Sequence, residues 1–346
     1  MDKMSCERAG GEIGEKLEKD EVNTLKDSGN DCLNVAGCDV LVARAALAHV
    51  PLQRHLVVVL SANTAFIISS DNASINAISQ LEKCCNATQN FIVTQVNTPL
   101  GTNLSYATEP KRIIRITENI LELIATTNPL KDRVFKHCSV VGNAGVLTNS
   151  SCGAEINQAD FVFRCNLAPI IDYKDDVGTK TDLVTSNPSI IITRYKNLNF
   201  RRRPFVDYIS AYKDAFILLS AFTFSFATSP SFKVSYTLQD FGTKQQAIFL
   251  NPSYMKTVSQ FWKAKGVKER RLSTGFIILS AALEMCEEVS VYGFWPFSKG
   301  VHGNQLSNHY YDNLRPSKVH SMPNEFYKIL QLHMKGIVKL QADECE

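Results

Sequence analysis

The feature that most constrains the fold is an alternation of short apolar runs with helical patterns between Val134 and Gly293. The apolar runs are short and are bounded by turn-forming residues, so they predict buried strands. Two helical patterns, Met255–Lys265 and Ser273–Cys286, lie between the last two runs. Strands that alternate with helices predict an α/β domain with a mostly parallel central sheet and helices on both faces. The predicted strands are Cys138–Gly145 with its glycine turn, Asp160–Asn166, Thr181–Ser186, Ala215–Ser220, Gln246–Leu250 and Val289–Gly293.

The same patterns divide the chain into three parts. Residues 1–82 are charge-rich and then Ala- and Val-rich without a steady period, which predicts a variable, poorly ordered N-terminal region. Residues 83–132 combine a short β-like run, a turn at Thr98 and a predicted helix over Arg112–Ala125, as expected for a stem that packs onto a domain. The main domain is predicted to occupy residues 133–346.

Composition narrows the class of ligand. The chain is 45% hydrophobic and 21% charged, which permits a buried core and argues against wholesale disorder. A net charge of +3 suits a small anionic substrate better than nucleic acid, which requires a denser basic stripe. The 10 cysteines include no C-x2-C pair, so we expect no metal site.

The cysteines and the glycosylation sequons bear on the compartment. Together they favour a secretory-pathway protein with disulfides over a cytosolic protein with reduced thiols. The N-terminus lacks the apolar segment of a signal peptide, and the longest uncharged apolar stretch, Leu56–Ser70, is too short to span a bilayer. A damaged or internal signal-anchor, a plain buried segment and a non-native N-terminal exon stay open. The candidate glycosylation sites are Asn72, Asn86, Asn103 and Asn149.

Polar residues follow several predicted strands, at the sheet edge where α/β proteins bind ligands. Asn143 and Asn166 come just after apolar runs, and their amides can bind a cytidine base or ribose, although turn capping explains them equally well. Ser273, Thr274 and Gly275 precede an apolar helix, where N–H groups at a helix N-terminus form an anion site. The alternative for Ser273 is an N-cap without a ligand.

Aromatic and titratable side chains are concentrated toward the C-terminus. Tyr292–Phe297 contains four aromatic residues, which suit a stacking wall against a base or sugar ring, with core packing as the alternative. His309 and His320 lie in polar, turn-rich sequence near acidic residues, where an imidazole can titrate near neutral pH and act as a base. Taken singly, each is also consistent with a surface histidine that has no catalytic role.

Four blocks of the chain, taken in order, resemble the sialylmotifs of the animal sialyltransferases, glycosyltransferase family 29. They are Cys138–Thr185 for the large motif, Leu272–Gly293 for the small motif, His309–Asp312 for the third and His320–Glu325 for the very small motif. The resemblance covers the chain from about Lys83 to the C-terminus.

The residues in these blocks resemble those of the α2,8-sialyltransferase branch of the family. It includes Arg164-Cys-Asn-Leu, Tyr292-Gly-Phe-Trp-Pro-Phe and His309-Tyr-Tyr-Asp. Two further segments, Phe232–Leu238 and Leu330–Gly336, are most similar to the type VI group of this branch. The resemblance implies a glycosyltransferase-A-like variant of the Rossmann-like fold and inversion at the anomeric carbon, without a metal or another cofactor.

Site residues follow from the same resemblance, motif by motif. His320 would be the catalytic base, and His309 would assist at the donor phosphate or the acceptor. Glu325, five residues after His320, is expected from its position in the sequence to orient that base. The implied donor-binding residues are Asn143 and Asn166 for cytidine monophosphate, Ser273, Thr274 and Gly275 for its phosphate or the sialic acid carboxylate, and Trp295 as a wall. The implied disulfides are Cys138–Cys286 and Cys152–Cys345, and Cys165 is expected to stay unpaired.

The expected activity is transfer of sialic acid from CMP-N-acetylneuraminate onto a terminal sialic acid of a glycan, by a catalytic domain at residues 133–346. Glycoprotein O-glycans are the favoured acceptors, and a ganglioside, as for GD3 synthase, is the alternative. The family implies a Golgi membrane enzyme with a luminal catalytic domain and no nucleic-acid partner. A catalytically silent sialoglycan-binding homologue is the alternative of another class. A nucleotide-dependent oxidoreductase is disfavoured because Gly142-Asn-Ala-Gly145 lacks the G-x-G-x-x-G pattern.

Overall fold

The protein is built around a parallel sheet. The computed structural model describes residues 72–131, 133–268, 271–314 and 322–345. Seven strands form one sheet in which all neighbouring strands are parallel, in the order β7-β6-β5-β4-β3-β8-β9, and β1 and β2 form a separate antiparallel pair. The strands are β1 Asn103–Ser105, β2 Ile113–Arg115, β3 Phe135–Val141, β4 Phe161–Arg164, β5 Leu183–Ser186, β6 Phe216–Leu219, β7 Gln246–Phe249, β8 Cys286–Tyr292 and β9 Lys339–Gln341.

The order of the strands reverses at β3. Strands β4 to β7 extend from it in one direction and β8 and β9 in the other, which is the doubly wound arrangement. With right-handed crossovers this order places helices on both faces of the sheet. In such folds ligands bind outside the carboxyl ends of the strands, at the point of reversal. A ligand-binding site is therefore expected at the carboxyl ends of β3, β4 and β8.

The helices cover the sheet and connect its strands. Helix α9 is buried over most of its surface, as expected for a helix that is apolar all round. The helices are α1 Asn72–Cys85, α2 Ala87–Asn90, α3 Glu118–Leu121, α4 Gly153–Gln158, α5 Lys174–Val177, α6 Arg202–Ile209, α7 Ser225–Asp240, α8 Pro252–Ala264, α9 Thr274–Met285 and α10 Met322–Met334, with a π-helix at Ile190–Arg194.

The predicted α/β fold class is confirmed, and each of the six predicted strands is present with ends shifted by a few residues. The helix predicted over Arg112–Ala125 is wrong. Its first part is β2, which pairs with β1, and only the four residues of α3 are α-helical. Ile113, which set the apparent helical period, is 59% exposed and is not part of a core face. Helices α1, α6, α7 and α10 and strand β9 have no counterpart among the predicted elements.

The segment predicted to be a stem packs directly against the sheet. Phe91 and Val93 are buried, and the Val93 N–H donates to the carbonyl of Phe249 at the end of β7 at 2.8 Å. Asn251 N–H donates back to the Phe91 carbonyl at 3.0 Å. Helix α1 buries Leu81, although it belongs to the N-terminal region predicted to be poorly ordered. Residues 1–71 of that region lie outside the described part of the chain.

Two long-range disulfides join distant parts of the domain. Cys138 in β3 is bonded to Cys286 at the start of β8, and Cys152 is bonded to Cys345 near the C-terminus. These are the two pairs that the family resemblance implied. Cys165 is unpaired, as expected, and half-buried. Over the residues described, no helix is long and apolar enough to cross a membrane.

Candidate active site

The turn after β3 is held by the turn after β8. Gly142 N–H donates to the Tyr292 carbonyl at 2.7 Å, and Ala144 N–H donates to the Gly293 carbonyl at 3.0 Å. A Cβ atom at Gly142 would collide with the Gly293 carbonyl. A Cβ atom at Gly145 would likewise collide with the backbone of Ser307. The two glycines of this turn are therefore required by close backbone packing within the protein.

This packing places His309 beside Asn143. Ala144 and His309 form an isolated antiparallel bridge, and Tyr310 N–H donates to the Asn143 carbonyl at 3.0 Å. Asn143 Nδ2 in turn donates to the carbonyl of Cys165 at 3.2 Å. The third-motif segment and the ends of β3 and β4 thus meet at the point where the strand order reverses.

Asn166 follows β4 in a strained conformation, with a φ of 61°. Its N–H donates to Thr185 Oγ1 at 2.8 Å, and its Oδ1 accepts the N–H of Asn187 at 3.0 Å. A left-handed conformation at a non-glycine residue has a cost and is concentrated at functional sites. With Oδ1 engaged in this way, the Nδ2 group is the part of the amide that can donate to a ligand.

Three tyrosine hydroxyls fix the segment that follows Asn166. They donate to three successive carbonyls: Tyr208 to Leu167 at 2.7 Å, Tyr212 to Ala168 at 2.5 Å and Tyr310 to Pro169 at 2.8 Å. Two of these tyrosines come from the α6 region and the third is the neighbour of His309. Sequence analysis missed this arrangement because nothing local to Tyr208 or Tyr212 marks it. The bonds make the edge next to Asn166 rigid.

His309 has a fixed orientation. Its Nδ1 lies 2.7 Å from Asp312 Oδ1, which also accepts the N–H of Leu314 at 3.0 Å. Since a carboxylate only accepts, Nδ1 carries a proton and Nε2 is the ring's acceptor atom, 3.2 Å from Nδ2 of Asn308. The ring stacks on Tyr311 with centroids 5.1 Å apart, and the side chain is 31% exposed. A half-buried imidazole that a carboxylate orients has the geometry of a histidine that acts as an acid or a base.

The N-terminus of α9 lies at the same edge. Ser273 Oγ accepts the Phe276 N–H at 3.1 Å, which is the N-cap that the sequence allowed. Ser273 also donates its N–H to Glu325 Oε1 at 2.6 Å and its hydroxyl to Glu325 Oε2. A Cβ atom at Gly275 would lie 3.3 Å from Cys165 Sγ, so the first turn of α9 packs against the residue that precedes Asn166.

Cys165, which lies between these groups, is not a nucleophile. Burial, reinforced by the charge of Glu325, raises the pKa of its thiol to about 12. A thiol with a raised pKa remains protonated at neutral pH and is inert. Its role at this edge is packing between α9 and the end of β4.

The proposed roles of His320 and Trp295 are not tested by this geometry. His320 lies outside the described residues, so its role as the base stays a prediction. Glu325, which we expected to orient it, is buried and receives the two hydrogen bonds from Ser273. Trp295 is only 7% exposed, packs against Phe297 and Phe326, and donates its indole N–H to the Lys299 carbonyl at 2.8 Å. Its role as a donor wall also stays a prediction.

The remaining predictions concern metals and glycans. Within the described ranges, no group of three or more His, Cys, Asp or Glu side chains is placed to hold a metal ion. Asn103 and Asn149 are exposed, whereas Asn86 is half-buried and uses its Oδ1 to accept the Gln89 N–H at the start of α2. Asn72 is the first residue of α1. Glycosylation at these four positions stays a prediction.

Comparison with known proteins identifies the family of the chain. Residues 83–337 match the model of glycosyltransferase family 29 (sialyltransferase). The chain is 50% identical to human alpha-2,8-sialyltransferase 8F over 78% of this chain and 69% of that protein. It is 48% identical to the Xenopus laevis alpha-N-acetylneuraminide alpha-2,8-sialyltransferase, over 77% of this chain and 74% of that protein.

A solved structure and a rat protein are further matches. Rat alpha-2,8-sialyltransferase 8E is 46% identical over 77% of this chain and 72% of that protein. A mammalian sialyltransferase crystal structure in complex with Gal-beta-1-3GalNAc-ortho-nitrophenol aligns with a TM-score of 0.44 at 20% identity, over 86% of this chain and 88% of that one. On the family match and the curated relatives, this chain belongs to glycosyltransferase family 29, the sialyltransferases.

Proposed function

We propose that the protein transfers sialic acid from CMP-N-acetylneuraminate to the 8-hydroxyl of a terminal sialic acid, with inversion at the anomeric carbon. The observation that carries this proposal is the meeting, at one sheet edge, of two asparagine amides, a helix N-terminus and a carboxylate-bound histidine. The relatives named as α2,8-sialyltransferases support the linkage.

The donor is held by groups that match its parts. Asn143 and Asn166 bind the cytidine and ribose, and the N–H groups of Thr274 and Gly275 bind the phosphate at the positive end of α9. CMP leaves readily because its phosphate spreads the negative charge, so the enzyme must stabilise charge at the phosphate rather than supply a strong acid. In this proposal no metal ion takes part.

The reaction is a single displacement. The bond between C2 of sialic acid and the phosphate oxygen breaks with its electron pair leaving on CMP, through an oxocarbenium-like state. The acceptor 8-hydroxyl forms the new bond from the opposite face and gives its proton to His320. His309, with Nδ1 engaged by Asp312, accepts at Nε2 from an acceptor hydroxyl in its neutral form or donates from Nε2 to the departing phosphate as the imidazolium; either contact takes the place of the one from Asn308 Nδ2.

The favoured acceptor is a sialylated O-glycan of a glycoprotein, and a sialylated glycolipid is the second candidate. Both candidates follow from the motif resemblance, the first from the type VI group and the second from GD3 synthase. We propose the Golgi lumen as the setting, on the basis of the family and the two long-range disulfides, which require an oxidising compartment.

An acceptor panel tests this function. Purified protein is incubated with CMP-sialic acid and with sialylated O-glycans, sialylated glycolipids or no acceptor, in buffer that contains EDTA. We expect release of CMP and a disialyl product whose new linkage is α2,8 by linkage analysis. A silent sialoglycan-binding homologue would bind the acceptors but release no CMP, and that result would remove the proposal.

The assignment of the base is tested separately. His320→Ala is expected to lower transfer by about 100- to 10,000-fold while CMP binding stays intact. The matched control is His302→Ala, which changes an exposed histidine paired with Asp343 and is expected to be fully active. Full activity in His320→Ala would contradict the assignment without contradicting the function.

A further inference from the structure

We propose that Arg194 binds the carboxylate of the acceptor's terminal sialic acid and thereby selects sialylated acceptors; this rests on the proposed function. The acceptor carboxylate and the attacking 8-hydroxyl belong to the same sugar residue. A guanidinium that fixes the carboxylate therefore also positions the hydroxyl.

Arg194 extends from the same sheet edge as the candidate donor site. It is the last residue of the π-helix Ile190–Arg194, which begins just after β5. Between them lies Asn187, whose N–H donates to Asn166 Oδ1 at 3.0 Å. The segment that carries Arg194 is thus bonded directly to a predicted donor-binding residue.

Aromatic rings hold the guanidinium in place. Its carbon lies 4.3 Å from the centroid of the Tyr208 ring and 5.4 Å from that of Tyr195. Tyr208 is itself fixed, because its hydroxyl donates to the carbonyl of Leu167, the residue after Asn166. Contact with ring faces uses the charge of the cation but leaves its N–H donors available to a ligand.

The guanidinium is also within electrostatic range of the Tyr311 side chain. Burial is the largest cause of a raised pKa at the Tyr311 hydroxyl, and the positive charge of Arg194 acts in the opposite direction, so the two groups are within electrostatic range. The Tyr311 ring stacks on His309 at 5.1 Å. Arg194 is exposed, and its charge reaches the aromatic residue that stacks on His309.

Two of the three arginines in the nearby Arg201–Arg203 run are paired with carboxylates, and Arg194 is not. Arg202 is paired with Asp240, and Arg203 Nε lies 2.7 Å from Asp207 Oδ1. Among the residues that the structure describes, no carboxylate pairs with Arg194. A guanidinium held against two aromatic rings at this sheet edge, without an internal counter-ion, fits an anionic substrate group.

Steady-state kinetics with a sialylated trisaccharide test the inference. Arg194→Leu is expected to raise the acceptor KM by about 10- to 100-fold, as for loss of a charge-assisted hydrogen bond, with the KM for CMP-sialic acid unchanged. Arg194→Lys is expected to recover part of the loss, since it keeps the charge without the bidentate geometry. The matched control, Arg203→Leu, removes an exposed arginine of the same region and is expected to behave as wild type.

An acceptor analogue with a methyl-esterified carboxylate completes the test. Wild type is expected to lose a similar factor with the ester, and Arg194→Leu is expected to show no further loss. An unchanged acceptor KM in Arg194→Leu, or a full ester penalty in that variant, overturns the inference and leaves the proposed function intact. If wild type transfers to no acceptor, calorimetric binding of the trisaccharide decides: tenfold or greater weakening in Arg194→Leu supports the inference, and equal affinity overturns it.

Discussion

Glu325 receives both the backbone N–H and the hydroxyl of Ser273, although the two residues are 52 positions apart. This pair attaches α10 to the N-terminus of α9, where the phosphate of the donor is proposed to bind. The Ser273 hydroxyl is already committed as a donor to Glu325 and as an acceptor from Phe276. Ser273 therefore positions the turn, and the N–H groups of Thr274 and Gly275 are left to contact the phosphate.

We expect Glu325→Ala to destabilise the protein by about 2–4 kcal/mol, because it leaves two buried donors of Ser273 without their acceptor. It should also raise the KM for CMP-sialic acid through a loosened first turn of α9. Glu325→Gln keeps one acceptor oxygen and should lose less. Denaturant unfolding measures the stability of both Glu325 variants, with the exposed Glu287→Ala as the control. Equal unfolding midpoints for Glu325→Ala and Glu287→Ala would contradict the role of Glu325 in holding Ser273.

The Asp312 carboxylate orients His309, so Asp312→Asn should lower kcat/KM by about 10- to 100-fold, the usual cost of losing such a partner. The amide can present its nitrogen to Nδ1, which would favour the wrong tautomer. Stability should change little, since Asp312 is half-buried near the surface. Activity with Asp175→Asn, the same change at an exposed aspartate of α5, is the comparison, and an Asp312→Asn enzyme with wild-type kcat/KM would show that orientation of His309 is not needed.

Loss of the Cys138–Cys286 disulfide should cost about 2–5 kcal/mol of unfolding free energy, because the bond closes a loop of 148 residues. The double variant Cys138→Ser/Cys286→Ser isolates this effect from that of a newly exposed thiol. Thermal unfolding of the variant, with and without reductant, measures it. Cys165→Ser serves as the control, since Cys165 forms no disulfide and reductant should affect that variant as it affects wild type. Peptide mapping that finds Cys138 as a free thiol in wild type would refute the pairing.

The strands were predictable because strands of a parallel sheet are buried on both faces and read as continuous apolar runs. The same reasoning failed at Ile113, where apolar residues at helical spacing belong to an exposed two-stranded pair. It also missed α7, whose sequence contains Pro230 and many Ser and Thr residues, so that packing rather than intrinsic propensity stabilises this helix.

The site was predictable only in part, for a related reason. Asn143, Asn166 and Ser273 each stand next to a strand or helix end, and that position is visible in the sequence. The partners that orient them are not, since Glu325 and the tyrosines that fix the segment after Asn166 come from distant positions. Arg194 carries no signal in the sequence, because sequence shows which residues are charged but not which charges are paired in the fold.

Glu284 in α9 is hydrogen-bonded to the start of α2, and its protonation gives a pH-dependent test of the contact between these two helices. Its carboxylate accepts the Ala87 N–H at 2.7 Å and the Tyr254 hydroxyl at 2.8 Å. Burial raises its pKa from 4.5 to about 7; these two hydrogen bonds oppose the shift, and the charge of Glu82 adds to it. The native state therefore holds the proton more tightly than the unfolded state does.

Stability should fall as pH rises from about 4.5 to about 7 and then level off, with a loss from this group of at most about 3 kcal/mol. Glu284→Gln cannot ionise, so its unfolding free energy should lack the pH-dependent loss that Glu284 causes. It should equal that of wild type near pH 4.5 and exceed it near pH 8. Urea unfolding across this range measures the difference, with the exposed Glu287→Gln as the control that keeps the wild-type slope. A Glu284→Gln protein with the same pH slope as wild type would show that this carboxyl titrates normally. The contact between α2 and α9 would then not depend on its protonation.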